Sequence, residues 1–243
     1  MTLQKTAICI SLLFVSIMFQ SCNPVFYCPT PRNVPLFSEK GEFTTNLSQS
    51  SEFDLGLDAQ YAYALTDNVG LMANLSFYNL SGDIRGKGYL YELGSGYFMP
   101  IKDLDYLILE AYGLIGFGDM ELKFLTEEHA NGLFNSNILR LGIQPSFGFK
   151  HKYFSAAITA RLVYLNHFKI RGENPVFYDL NLIDHVQANN NNFLFEPALT
   201  LRAGLENIKL QVQLGAALFM KKSDLYIYES SGSIGVHFYF NRK

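Results

Sequence analysis

Along residues 57–77, LDAQYAYALTDNVGLMANLSF, apolar and polar side chains change places at every second position. Leu57, Ala59, Tyr61, Tyr63 and Leu65 share one side, and Asp58, Gln60, Ala62 and Ala64 share the other. After Thr66-Asp67-Asn68 the alternation resumes, with Val69, Leu71, Ala73, Leu75 and Phe77 opposite Gly70, Met72, Asn74 and Ser76. Successive side chains of a strand point to opposite faces, so this stretch predicts a hairpin with one greasy face and one polar, small-residue face. On a helix the same apolar residues would scatter around the whole circumference.

The habit recurs in ten stretches: 42–48, 53–65, 69–80, 88–99, 106–120, 138–150, 153–167, 193–205, 208–220 and 232–240. Short connections at 66–68, 100–105, 151–152 and 206–207 alternate with longer ones at 81–87, 121–137, 168–192 and 221–231. Only 49–52 is short on the long side. A soluble sandwich has no reason to sort its loops this way, whereas a transmembrane barrel keeps short turns in the periplasm and long loops outside. The strands suit the roughly 9–11 residues that a tilted spanning strand needs. Only a closed sheet satisfies every backbone group in hydrocarbon.

The expected fold is therefore all-β: a closed antiparallel transmembrane β-barrel over residues 41–243, of about ten strands, with eight or twelve as the neighbouring counts. An even number places both chain ends on the periplasmic side. The outward set collects Leu141, Ile143, Phe147 and Phe149; Phe154, Ile158, Leu162 and Tyr164; Leu199 and Leu201; Leu210, Val212 and Leu214. Tyr61, Tyr63, Tyr97, Phe149, Phe154, Phe238 and Phe240 gather towards strand ends, as interfacial girdles do.

Ahead of the barrel, MTLQKTAICISLLFVSIMFQSC carries one early positive charge, Lys5, and an apolar run from Ala7 to Phe19. That run suits an export signal over residues 1–21 and falls short of the roughly 20 residues of a spanning helix. Ser21-Cys22 resembles the cleavage and acylation site of a bacterial lipoprotein, which makes Cys22 the expected lipid (palmitate) attachment point. Cys28 is then a lone thiol; without acylation the two could close a small disulfide loop. Pro24, Pro29, Pro31 and Pro35 make residues 22–40 a tether or extended arm, since such density suits neither helix nor paired strand. The net charge of −3, one unit more negative once Lys5 leaves with the signal, offers no basic surface for nucleic acid.

Pro35–Glu42, Ala62–Asn74, Glu110-Ala111-Tyr112-Gly113, Glu196-Pro197 and Arg202-Ala203-Gly204 together resemble small outer-membrane β-barrel proteins of the Bacteroidetes type. Gly235-Val236-His237-Phe238-Tyr239-Phe240 resembles the aromatic last strand that outer-membrane assembly machinery recognises, although Asn241-Arg242-Lys243 trail it. The resemblance implies location and fold, with outer-membrane lipid and lipopolysaccharide as surroundings, and no particular biochemistry.

The inward-facing charges are Asp54, Asp58, Glu92, Glu110 and Glu196 against Arg140, Arg161, Arg202 and Lys209. A charge inside a narrow barrel persists only if paired or wet. These residues, Lys209 apart, therefore predict a cross-barrel ion-pair network, and with it a plugged lumen, since about eight strands are just filled by side chains and channels become roomy nearer sixteen.

Enzymatic chemistry finds little support. Asp184-His185, with Asp83 opposite, is the candidate for an outer-rim protease, and His237 has no evident serine for a lipid hydrolase. No metal-ligand spacing appears, and no cofactor is expected. Val176, Phe177, Tyr178, Leu180, Leu182 and Ile183 in the longest loop either fold over the barrel mouth or offer a docking patch. The expectation is a non-enzymatic surface or structural component, or an accessory subunit with a protein partner. A narrow diffusion channel is the alternative.

Overall fold

The computed structural model describes residues 24–52, 54–81, 84–124, 132–173, 176–177 and 180–241. The signal segment, Cys22, Asp83, His129 and Tyr178 lie outside them. The wall begins with β1 (Glu42–Ser50), β2 (Leu55–Ala64), β3 (Val69–Leu80), β4 (Ile84–Ile101), β5 (Leu104–Phe124), β6 (Gly132–Lys150) and β7 (Phe154–Glu173). A small hairpin, β8 (Val176–Phe177) with β9 (Leu180–Asn181), leads into helix α1 (Leu182–Ala188). The chain then returns to the wall as β10 (Asn191–Gly204) and β11 (Ile208–Ala216) and ends with β13 (Ser230–Asn241). The two-residue β12 (Leu218–Phe219) adds to β10.

Neighbours in the wall are antiparallel, and β13 pairs with β1 as well as with β11, bringing Thr44 opposite Tyr239 and Asn46 opposite His237. The expected ten-stranded closed barrel is present, with β12 as a short addition.

The burial pattern is inside out over the middle of the wall. Leu93, Ile143, Ile158, Leu210 and Ile234 face outwards at 56–64% exposure, while Glu92, Arg140, Arg161, Glu196 and Gln211 point inwards at 0–2%. A solvated monomer does not present a continuous belt of this kind; an outer-membrane β-barrel does.

The strands β4 to β7 are longer than the alternation predicts, at 18, 21, 19 and 20 residues, about twice a bilayer crossing. Their additional turns lie at the long-loop end, and there the pattern reverses. Met120, Leu122, Phe134 and Ile138 are buried inside, and Lys87, Glu121 and Lys123 lie on the outer face. Lys87 and Glu121 are direct cross-strand partners, 3.2 Å apart. Beyond the lipid the wall follows the ordinary rule for protein in water, so the greasy-outside signal ends before the strands do.

Residues 24–37 do not hang below the barrel as a tether. They run through its lumen, antiparallel to β1, from the long-loop end to the short-turn end. Phe26 and Tyr27 lie beside Tyr226 and Tyr228 at one end, and Ser38 and Lys40 meet Glu42 and Asp67 at the other. Gly41 turns the chain into β1 with φ 85°, a left-handed conformation that glycine adopts without a Cβ penalty. Leu36 also lies in that region, at φ 55°, with its side chain buried over the bare backbone of Gly148.

Candidate functional site

The lumen is where the functional side chains converge, and the arm is its centre. Beyond the parallel bridge of Tyr27 with Ile227 the extended arm has no ladder partner among the described residues, so each further N–H and C=O needs another. Pro29, Pro31 and Pro35 reduce the demand by carrying no N–H. Wall amides meet much of the rest. Gln60 on β2 donates to Pro31 O at 2.8 Å, and Gln144 on β6 donates to Asn33 O at 2.7 Å. Gln213 on β11 accepts from Arg32 N at 2.6 Å and donates to Arg32 O at 2.9 Å, which mimics a strand pair with one side chain. Arg202 donates to Val34 O at 2.7 Å, and Glu110 accepts from Leu36 N at 3.0 Å. Replacing Gln213 with Leu strands both backbone groups of Arg32. The expected loss is about 2 kcal/mol of stability, read from urea unfolding in detergent.

At mid-lumen, charged groups from the wall close around the arm. Arg140 donates through Nε to Glu92 Oε1 at 2.9 Å and forms a second, shorter contact with Oε2. Its remaining donors reach Tyr27 OH at 2.8 Å and Thr30 Oγ1 at 2.7 Å. Arg161 donates to Glu196 Oε2 through Nε at 2.7 Å and pairs with it through Nη2 at 2.5 Å; Nη2 also reaches Thr30 O at 3.0 Å. Tyr27 OH donates to Glu196 Oε1 at 2.6 Å and so bridges the two pairs. Arg32 adds a third guanidinium, 3.9 Å from Glu196. Two carboxylates thus face three guanidiniums, all almost fully buried.

Four of the eight residues expected to form this network therefore belong to it: Glu92, Arg140, Arg161 and Glu196. Tyr27, Thr30 and Arg32 belong too, and the alternation could not place them because they lie on the arm. The other four have separate partners. Asp58 accepts from Ser50 and Ser76, each at 2.5 Å. Glu110 holds the arm at Leu36, and Arg202 pairs with Gln211 at 2.7 Å and with the arm carbonyl. Asp54 is not a lumen residue at all. β2 starts at Leu55, and exposed Asp54 accepts from the hydroxyl and amide of Ser81, which hold its carboxyl below the usual range.

Side chains gather at both mouths. At the long-loop end Phe26 packs edge-on against Phe134 at 5.2 Å, in a cluster with Leu182 and Val186 of α1, Leu194 and Leu225. The apolar part of the longest loop thus folds over the mouth, with Leu182 fully buried and Leu180 and Ile183 packed against it. At the short-turn end Glu42 gathers Ser38 N at 2.9 Å, Lys150 Nζ at 2.9 Å and Tyr239 OH at 2.7 Å.

The candidates for catalysis are not assembled. Asp184 and His185 are adjacent on α1, where Asp184 N is capped by Asn181 and the His185 ring stacks 5.7 Å from Tyr226. A serine–histidine contact does occur, between Ser136 Oγ and His167 Nδ1 at 3.0 Å, from residues the alternation had left in loops or near a loop start. Both are buried at 1% exposure, and His167 Nε2 has no partner among the described residues, so no carboxylate orients the ring.

No family model matches the chain, and no curated protein matches it. Among solved structures it is similar to the N-terminal β-barrel domain of Pseudomonas aeruginosa OprF, at 12% identity over 83% of this chain and 99% of that one, with a TM-score of 0.39. It is similar also to the translocator domain of autotransporter NalP from Neisseria meningitidis, at 13% identity over 82% and 88%, with a TM-score of 0.46. LpxR from Salmonella typhimurium gives 9% identity over 82% and 100%, with a TM-score of 0.40. At these levels the likeness is one of general barrel form.

Proposed function

We propose that this protein is a non-conducting outer-membrane barrel, sealed by its own N-terminal arm, that acts as a surface or structural component or as an accessory subunit of a larger outer-membrane assembly. One observation carries the reading: residues 24–37 occupy the lumen from mouth to mouth, with wall side chains dedicated to their backbone. A diffusion pathway would need that space. In planar bilayers the intact protein is expected to give no channel steps; steady conductance from the folded wild type would overturn the reading.

The direction of the arm alters the expected sidedness. Long loops of such barrels face outside, and the arm enters at the long-loop end. Cys22, two positions before Pro24, then belongs at the outer face, and an acyl chain there would anchor the arm from the cell surface. The periplasmic N-terminus expected from an even strand number then describes the start of β1, and the arm ahead of it crosses back through the lumen. An epitope inserted after Asn23 should bind antibody on intact cells, and acyl labelling should vanish in Cys22→Ala. Epitope binding only after permeabilisation would return the N-terminus to the periplasm, and label retained in Cys22→Ala would exclude Cys22 as the attachment point.

A further inference from the structure

The short-turn mouth holds a second constellation that the sealing of the lumen does not use. Beside Pro35 and Leu36 of the arm is a cavity of about 260 Å³, lined by Lys150, Lys152, Arg202, Lys209 and His237, with Glu206 as its acid. The cations differ in how they are matched. Lys150 is 2.9 Å from Glu42 and Lys152 is 3.0 Å from Glu206, so two charges are neutralised locally. Arg202 and Lys209 have no carboxylate within 4 Å among the described residues, although they are only 3% and 7% exposed. Their partners are neutral: Gln211 and Val34 O for Arg202, and Glu206 O at 3.1 Å for Lys209. His237, directly opposite Lys209 in the β11–β13 register, is 5% exposed, and its Nδ1 has no hydrogen-bond partner among the described residues.

Elsewhere in this lumen buried cations have acids. At mid-barrel the guanidiniums of Arg140 and Arg161 each hold a carboxylate. Glu110 acts on Arg202 and Glu206 on Lys209 only from beyond 4 Å, and keeping two buried cations without a contacting anion, beside an imidazole nitrogen without a partner, is costly unless something in the cavity supplies one. A guanidinium, an ammonium and an imidazole on three adjacent strands are donors suited to the oxygens of a compact anion. The volume exceeds the roughly 30 Å³ share of one water several-fold, enough for a phosphate group with part of its hydration.

We propose that Arg202, Lys209 and His237 form an oxyanion site at the short-turn mouth, which takes a phosphate group either as the free ion or at a lipid headgroup. The site is built on the wall and on the lower end of the arm, so it does not depend on whether the lumen conducts.

The test uses the purified protein in neutral detergent, with the folded barrel followed by its mobility on unheated gels and its melting by circular dichroism. At constant ionic strength, inorganic phosphate should raise the melting midpoint saturably, where chloride does not. Lys209→Gln and His237→Asn should each weaken the apparent affinity at least about tenfold, as expected for losing a hydrogen bond to a charged group. Phosphatidylglycerol in the micelles should suppress the response to added phosphate if the site takes headgroups and leave it intact if it takes the free ion. Equal shifts from phosphate and chloride in the wild type, a comparison that needs no variant, would overturn the site. So would an undiminished phosphate response in both folded variants.

Discussion

Barrels lacking residues 24–37 are expected to pass ions where the intact protein is silent. The arm fills the lumen with Phe26, Tyr27, Arg32, Val34, Leu36 and Phe37, all buried at 0–4% exposure. Its removal leaves Gln60, Gln144, Gln213 and Arg202 facing a space that only water can occupy. Ten strands give a lumen between one that side chains just fill and one that is roomy, so the opening should be narrow. The long-loop mouth also loses Phe26 from its apolar cluster and the backbone pairing of Phe26 and Tyr27 with Tyr226 and Tyr228, so the seal weakens at that end as well. The expected result in planar bilayers is stepwise conductance from the deletion and none from the wild type, with mobility on unheated gels showing that the deletion is still a folded barrel. A folded deletion that stays silent would mean that wall side chains alone close the lumen, and the arm would then have another purpose.

Much of this architecture was legible in the chain, and the parts that were not share a cause. Alternation marks a strand only while its two faces meet different surroundings. From Leu57 to Phe77 the outward face meets lipid and the inward face a polar lumen, and the hairpin is plain. At Met120, Leu122 and Phe134 the inward face becomes apolar and the outward face carries Glu121 and Lys123, so the ends of β5 and β6 looked like loops. Asp54 was assigned to the lumen by extending the alternation one residue past the start of β2. Glu92, Arg140, Arg161 and Glu196 were readable because a charge at an inward position requires a partner. The arm was not, because its prolines suggest a linker and no period locates it. A signal was nevertheless present: a solvated tether has little use for Phe26, Tyr27, Val34, Leu36 and Phe37 within a dozen residues, and Arg32 among them is the group that joins the buried ions. The inward glutamines were equally visible as polar lumen residues, but nothing in β2, β6 or β11 says that their partner is a backbone.

Glu196→Ala should be the most damaging single substitution in the wall. The Glu196 side chain is fully buried and accepts from Tyr27 OH at 2.6 Å and from Arg161 Nε at 2.7 Å, with Arg32 3.9 Å away. Removing it leaves Arg161 dependent on Glu92 at 3.8 Å, an acid already engaged by Arg140, and leaves Arg32 with backbone carbonyls and a serine hydroxyl. Two carboxylates facing three guanidiniums become one, in a space the arm keeps from filling freely with water. Breaking a buried pair by deleting one partner typically costs about 3–5 kcal/mol, most of it from the charge left behind. Replacing both members with apolar groups of similar volume removes that charge, so Arg161→Met combined with Glu196→Met should unfold at a higher urea concentration than Glu196→Ala alone. Glu196→Gln keeps an acceptor for Tyr27 and should fall between them. If Glu196→Ala costs less than about 1 kcal/mol, the guanidiniums reach water without it, and the arm does not seal the middle of the barrel.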